Sequence, residues 1–211
     1  MMKKILTGAE AKKKLLTGIQ TVADAVKWTL GPAARTVILE RPWGAPSVIN
    51  DGVTIAKDVE LECPFEMLGV KMLQEVAINA QNTAGDGTTT ATLLAEEISR
   101  NGMAHVLDGC NPVTLTEGIE DAIFHAADAI TGLSIPTDSN EMIQQVATVA
   151  ANNDPAIGKL IADAVQEVGK YGVITVQESG GVQTDLSITT GFELDEGYLS
   201  PYLINDNERM E

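Results

Sequence analysis

The sequence predicts a mainly helical bundle broken by one β-hairpin, then a smaller α/β segment and a β-rich end. Three observations carry this. Apolar residues recur every three or four positions through most of residues 10–133, the period of helices with one buried face. Two short apolar runs between residues 36 and 50 flank a loop punctuated by Pro42, Gly44 and Pro46, the pattern of a hairpin. Hydrophobic residues make up 44% of the chain but aromatics only 4%, so the core must rest on Ala, Val, Ile and Leu, which suits closely packed helices.

Each element has its own signal. Leu15, Ile19, Val22 and Val26 lie on one face of a helix over 10–29, and Gly31-Pro32 stops it. Thr36 to Leu39 reads as a strand, and Val48-Ile49 begins its partner. The apolar character of this hairpin points to a partner surface. Gly52 opens a short helix to about Leu61. Pro64 suits a helix start, and Phe65, Leu68, Met72, Val76 and Ala80 then follow one face. That helix ends in Ala84-Gly85-Asp86-Gly87, and another runs from the following threonines to about Leu107. Asn111-Pro112 caps a further helix with an apolar stripe from Leu115 to Ile130. A polar break at Pro136–Asn140 marks a domain boundary, and helices follow over 141–151 and 154–169. From Gly172 the period changes to two, so Val173–Val176 and Leu186–Leu194 read as strands.

Charge narrows the partners. Fourteen basic and thirty acidic residues leave a net charge of −16, which repels nucleic-acid phosphates and anionic membranes. The exception is Lys3, Lys4, Lys12, Lys13 and Lys14, read as a solvated face of the first helix. Cys63 and Cys110 fit no metal or redox spacing, and His105 and His125 add no ligand cluster. Free thiols in a reducing compartment are the expectation, with no signal peptide and no membrane-spanning run. The expected setting is the cytosol or an equivalent organellar lumen.

Residues 84–92, Ala-Gly-Asp-Gly-Thr-Thr-Thr-Ala-Thr, carry the chemistry. Two glycines let backbone amides approach a ligand, and three threonines fill a first helical turn whose amides lack intrahelical partners. Asp86 beside a phosphate would repel it without an intervening cation, so it suggests Mg²⁺. The loop is no Walker A, since the lysine and the glycine spacing are missing. An ordinary capped helix start is about as good a reading of these residues. The threonine triplet tips the balance toward an anion, because three mediocre helix formers together serve no packing purpose. Thr29-Leu30-Gly31-Pro32 reads locally as a helix stop, and Asn50-Asp51-Gly52 as a turn in which Asp51 can hold a metal or an attacking water.

In order and spacing, these three segments resemble the N-terminal part of a group I (GroEL-type) chaperonin subunit. Gly109-Cys110-Asn111-Pro112, Gly172–Val176 and Gly197-Tyr198-Leu199-Ser200-Pro201-Tyr202 continue the likeness over nearly the whole chain. The resemblance implies an equatorial domain over 1–134, the first part of an intermediate domain over 135–188, and the start of an apical domain over 189–211. It implies ATP-driven folding of other proteins in stacked rings, with ATP, Mg²⁺ and K⁺ as cofactors. Nucleotide contacts would fall on Thr29, Leu30, Gly31, Pro32, Asn50, Asp86, Gly87, Thr88, Thr89 and Thr90. Asp86 would bind Mg²⁺, Asp51 would serve hydrolysis, and Thr29, Asn50 and Thr90 would attend the K⁺. Tyr198, Tyr202 and Leu203 would meet unfolded polypeptide, or else pack within a small β-unit. The partners implied are non-native proteins, other chaperonin subunits joined through the hairpin, and a co-chaperonin.

Two departures stand out. Ala33-Ala34 replace the family's usual Lys-Gly, and Asn50 stands where many members have lysine. A family subunit is also more than twice as long as these 211 residues. The expectation is therefore about half of an ATP site, weak binding and little hydrolysis by this chain alone. The alternative is a non-catalytic paralogue that binds polypeptide or chaperonin subunits. A small-molecule kinase built on the threonine loop is disfavoured, because no acceptor-site residues accompany it.

Overall fold

A computed structural model describes residues 4–31, 33–41, 44–169, 172–177, 184–189, 191 and 200. The chain divides into two compact units, Met1–Ile130 and Thr131–Glu211.

The first unit opens with α1 (Gly8–Val26), which tightens into a 3-10 turn over Lys27–Thr29. Strands β1 (Val37–Leu39) and β2 (Ser47–Ile49) form an antiparallel hairpin in which Val37 faces Ile49, Ile38 faces Val48 and Leu39 faces Ser47. Strand alternation turns Val37, Leu39 and Ile49 onto the core and leaves Ile38 and Val48 exposed. Helices α2 (Gly52–Asp58), α3 (Pro64–Ala84) and α4 (Thr88–Leu107) follow. Helix α5 (Pro112–Leu133) comes next, and its last three residues belong to the second unit. Aliphatic residues of α1, α2 and α3, chiefly Val22, Val26, Ile55, Val70 and Leu73, make the core. Among the described residues no aromatic side chain is fully buried, in line with the composition.

Helices α1 and α3 touch backbone to backbone. A Cβ added at Gly18 would stand 1.9 Å from the Glu66 carbonyl oxygen, and one at Gly69 would stand 2.1 Å from that of Leu15. This crossing corrects the expected face of α3. Its buried residues are Gly69, Val70, Leu73 and Ala77, whereas Leu68 and Met72 are 52% and 58% exposed. Glycine sets which side can approach α1 most closely.

Beside the crossing, the Lys14 ammonium bonds the Glu66 carboxylate at 2.9 Å, so this lysine is paired and not simply part of a solvated face. That bond raises the lysine's pKa, with the Cys63 thiolate adding to it. Cys63 is the N-cap of α3 and makes no cap hydrogen bond through its side chain. Its thiol pKa is nevertheless lowered, the Glu66 amide being foremost, because the start of a helix favours negative charge.

In the second unit α6 (Asn140–Ala150) and α7 (Pro155–Val168) form a helical hairpin. Asn152 and Asn153 turn the chain in left-handed conformation, with φ of 56° and 64°, which asparagine tolerates better than most residues. Asp154 then caps α7 by accepting from the amides of Ala156 and Ile157. Gly158 lets the helices meet, since its Cβ would lie 2.0 Å from the Thr148 hydroxyl.

The strand expected at Val173–Val176 is absent: residues 172–177 carry no regular structure. Val173 and Val176 are 81% and 86% exposed, and among the described residues no strand pairs with this run. Residues 186–189 of the expected Leu186–Leu194 strand are likewise irregular, and Thr190 and Phe192–Leu194 lie outside the described residues. Among the described residues no helix is long and apolar enough to cross a membrane.

Candidate phosphate-binding site

The Gly85–Thr90 loop joins α3 to α4. Gly85 ends α3 with φ 73° and ψ −8°, and Gly87 precedes α4 with φ 78° and ψ 15°. Both lie in the left-handed region that only glycine adopts readily. Asp86 sits between them, exposed, and its Oδ1 accepts the Gly87 amide at 2.6 Å. The first intrahelical bond of α4 runs from the Ala91 amide to the Gly87 carbonyl at 2.9 Å. The amides of Thr88, Thr89 and Thr90 therefore lie ahead of the helical ladder, at its positive end.

Two other segments reach this helix start. The Thr29 and Thr89 hydroxyls are 3.0 Å apart. Thr29 donates to the Val26 carbonyl at 2.9 Å, and a hydroxyl has one hydrogen, so Thr89 is the donor between them. The buried start of α2 reaches it as well. A Cβ on Gly52 would lie 2.3 Å from the Thr89 hydroxyl and 3.4 Å from that of Thr88. Below them Thr92 is fully buried and donates to the Thr88 carbonyl at 2.7 Å, tying the first turn down.

The structure thus joins Thr29, Gly52, Thr88 and Thr89 directly. Asp51 stands next to Gly52, exposed, and caps α2: its Oδ2 accepts the Thr54 amide at 3.0 Å and also the Thr54 hydroxyl. Asn50 closes β2 and is exposed but bonded. Thr90 is exposed, as are Leu30 and Gly31, and Gly31 has a φ of 77°. Pro32, Tyr198, Tyr202 and Leu203 lie outside the described residues. The contact role of Gly52 and the anchoring role of Thr92 were not legible as site features. Each depends on neighbours from another part of the chain.

These residues fit an anion accompanied by a cation. Free amides at a helix start, flanked by hydroxyls, suit phosphate oxygens, and an exposed carboxylate at the loop tip suits a hard divalent ion. Among the described residues no cluster of three or more His, Cys, Asp or Glu forms a preformed metal site.

Comparison with known proteins identifies the family. A crystal structure of a group III chaperonin in the open state is similar to this chain, with a TM-score of 0.63 and 26% identity. The match covers 75% of this chain and 32% of that one, so this sequence spans about a third of that chaperonin's length. A family model described as the TCP-1/cpn60 chaperonin family matches residues 22–211, nearly the whole sequence and all three segments that meet at α4; the chain belongs to the TCP-1/cpn60 chaperonin family.

Proposed function

We propose that this chain is part of an ATP-driven folding subunit of the group I type, and that the start of α4 cradles the phosphates of ATP. The observation that supports this reading is the meeting of Thr29, Gly52, Thr88 and Thr89 at unpaired helix amides. Thr88, Thr89 and Thr90 would hold phosphate oxygens through amides and hydroxyls, with Gly87 giving the backbone room to approach. Asp86 would hold Mg²⁺, which when bound neutralises charge on the phosphates. Phosphoryl transfer to water depends on positioning and electrostatics more than on covalent help. Asp51 would orient the water. Thr29, Asn50 and Thr90 would offer oxygens to K⁺, while Leu30, Gly31 and Pro32 would border the nucleotide.

Non-native polypeptides, further copies of the subunit and a co-chaperonin are the proposed partners, in bacterial cytoplasm or an equivalent lumen. Tyr198, Tyr202 and Leu203 are proposed to meet polypeptide, and the outward Ile38 and Val48 of the hairpin to meet a neighbouring subunit.

Titration with a fluorescent ATP analogue tests the site. Saturable binding that requires Mg²⁺ is expected, weakened about tenfold or more in D86A, a loss of about 1.4 kcal/mol or more. Binding that is absent, or equal with and without Asp86 and Mg²⁺, would overturn the assignment.

A further inference from the structure

We propose that Trp28, clasped by Arg35, is a positioning residue that holds Thr29 against the start of α4. After the 3-10 turn the chain becomes extended at Leu30 and must come back to enter β1. Two main-chain bonds close that return. The Ala34 amide bonds the Gly31 carbonyl at 3.0 Å, and the Arg35 amide bonds the Trp28 carbonyl at 2.7 Å. At the second bond the side chains also engage. The Arg35 guanidinium lies 5.8 Å from the Trp28 ring centroid, and the Lys27 ammonium lies 5.5 Å from it. Both cations are within reach of the negative face of the indole.

Burial does not account for this tryptophan, which is 53% exposed and outside the core cluster. A single exposed aromatic is ordinary on any surface. What sets Trp28 apart is that its carbonyl and its ring both hold the same residue, Arg35. Thr29 is the next residue along, and its hydroxyl is fixed on the N-terminal side by Val26. The Trp28–Arg35 clasp fixes the chain on the C-terminal side. Thr29 can then accept from Thr89 at 3.0 Å without a strut from its own loop. Loosening the clasp lets the turn open and draws Thr29 off Thr89.

The functional consequence rests on the nucleotide reading, so the clasp is tested separately from binding. Amide exchange at Ala34 and Arg35 is measured by NMR on the ligand-free chain. In W28A it should quicken about two- to fivefold, the factor that an exposed cation–ring contact is worth, and W28F should restore it. R35Q, which leaves the ring in place and alters an exposed residue, should quicken exchange similarly. Affinity for the ATP analogue should fall by a like factor in W28A and R35Q, with an unchanged far-UV spectrum, and W28F should recover it. Equal exchange in wild type, W28A and R35Q would overturn the clasp. Faster exchange with unchanged affinity would overturn its positioning role. If the wild-type chain binds no nucleotide, the nucleotide reading fails, and the exchange rates alone decide the clasp.

Discussion

Gly52 and Gly87 border the same threonines and are glycine for opposite reasons. Gly52 has no room: a Cβ would press on the Thr89 hydroxyl at 2.3 Å and on a Val26 methyl at 3.2 Å. Gly87 has room, with nothing within 4 Å of its Cβ position, but its φ of 78° disfavours any side chain. G52A should therefore cost about 1–3 kcal/mol by overpacking and also displace Thr89. G87A should cost about 1–2 kcal/mol by backbone strain, and G87N less. Thermal melts of the three variants check the order. Cys63 gives a second residue-scale expectation. A lowered pKa means more thiolate at neutral pH, so its alkylation rate should reach half-maximum at a lower pH than an unperturbed thiol does. The rate measured across pH by mass spectrometry checks this, and a midpoint at or above the ordinary thiol value would contradict it. The turn and the helix start at Thr88 were legible from the Gly-Asp-Gly-Thr-Thr-Thr run itself. Gly52 was not, because the contact that demands glycine comes from Thr89 across the fold.

Helix boundaries were legible where the chain announces them. Pro64, Pro112 and Pro155 each stand at the first position of α3, α5 and α7, and the stop after α3 is a left-handed glycine. The buried face of α3 was misread because large apolar residues suggest a core stripe, while the contact with α1 is made through Gly69. Val173–Val176 was misread as a strand because alternation alone does not specify one, and among the described residues no strand pairs with it. At the crossing, propensity and packing predict opposite signs. Alanine is the better helix former by about 1 kcal/mol, yet its methyl at Gly18 or Gly69 would collide with a carbonyl. G18A and G69A should each lower stability by about 1–3 kcal/mol or more, read from the urea midpoint. In the second unit D154A removes a cap that accepts two amides, and should cost about 0.5–2 kcal/mol in the melting of α6 and α7.

At the scale of the chain, a net charge of −16 coexists with exposed apolar surface. Along α5, Val113, Ile123, Phe124, Ile130 and Leu133 all face outward. Charge repulsion keeps such molecules apart, and its range shrinks as salt shortens the Debye length to about 8 Å at 0.15 M. Self-association should therefore rise with salt, opposite to an assembly held by ion pairs. Sedimentation velocity from low to high NaCl checks this, with I123S/F124S expected to weaken the effect. A monomer at every salt concentration would contradict it.

The α1–α3 crossing carries one more implication. Side-chain interfaces adjust by rotamer exchange, but two main chains in contact have nothing to exchange. The crossing therefore acts as a dowel between two rods. One rod leads into Thr29 and the other into Gly85–Gly87, so the alignment of these two approaches to α4 is set by peptide geometry. Aliphatic substitutions in the surrounding core can change how firmly the rods are gripped while leaving where they point the same.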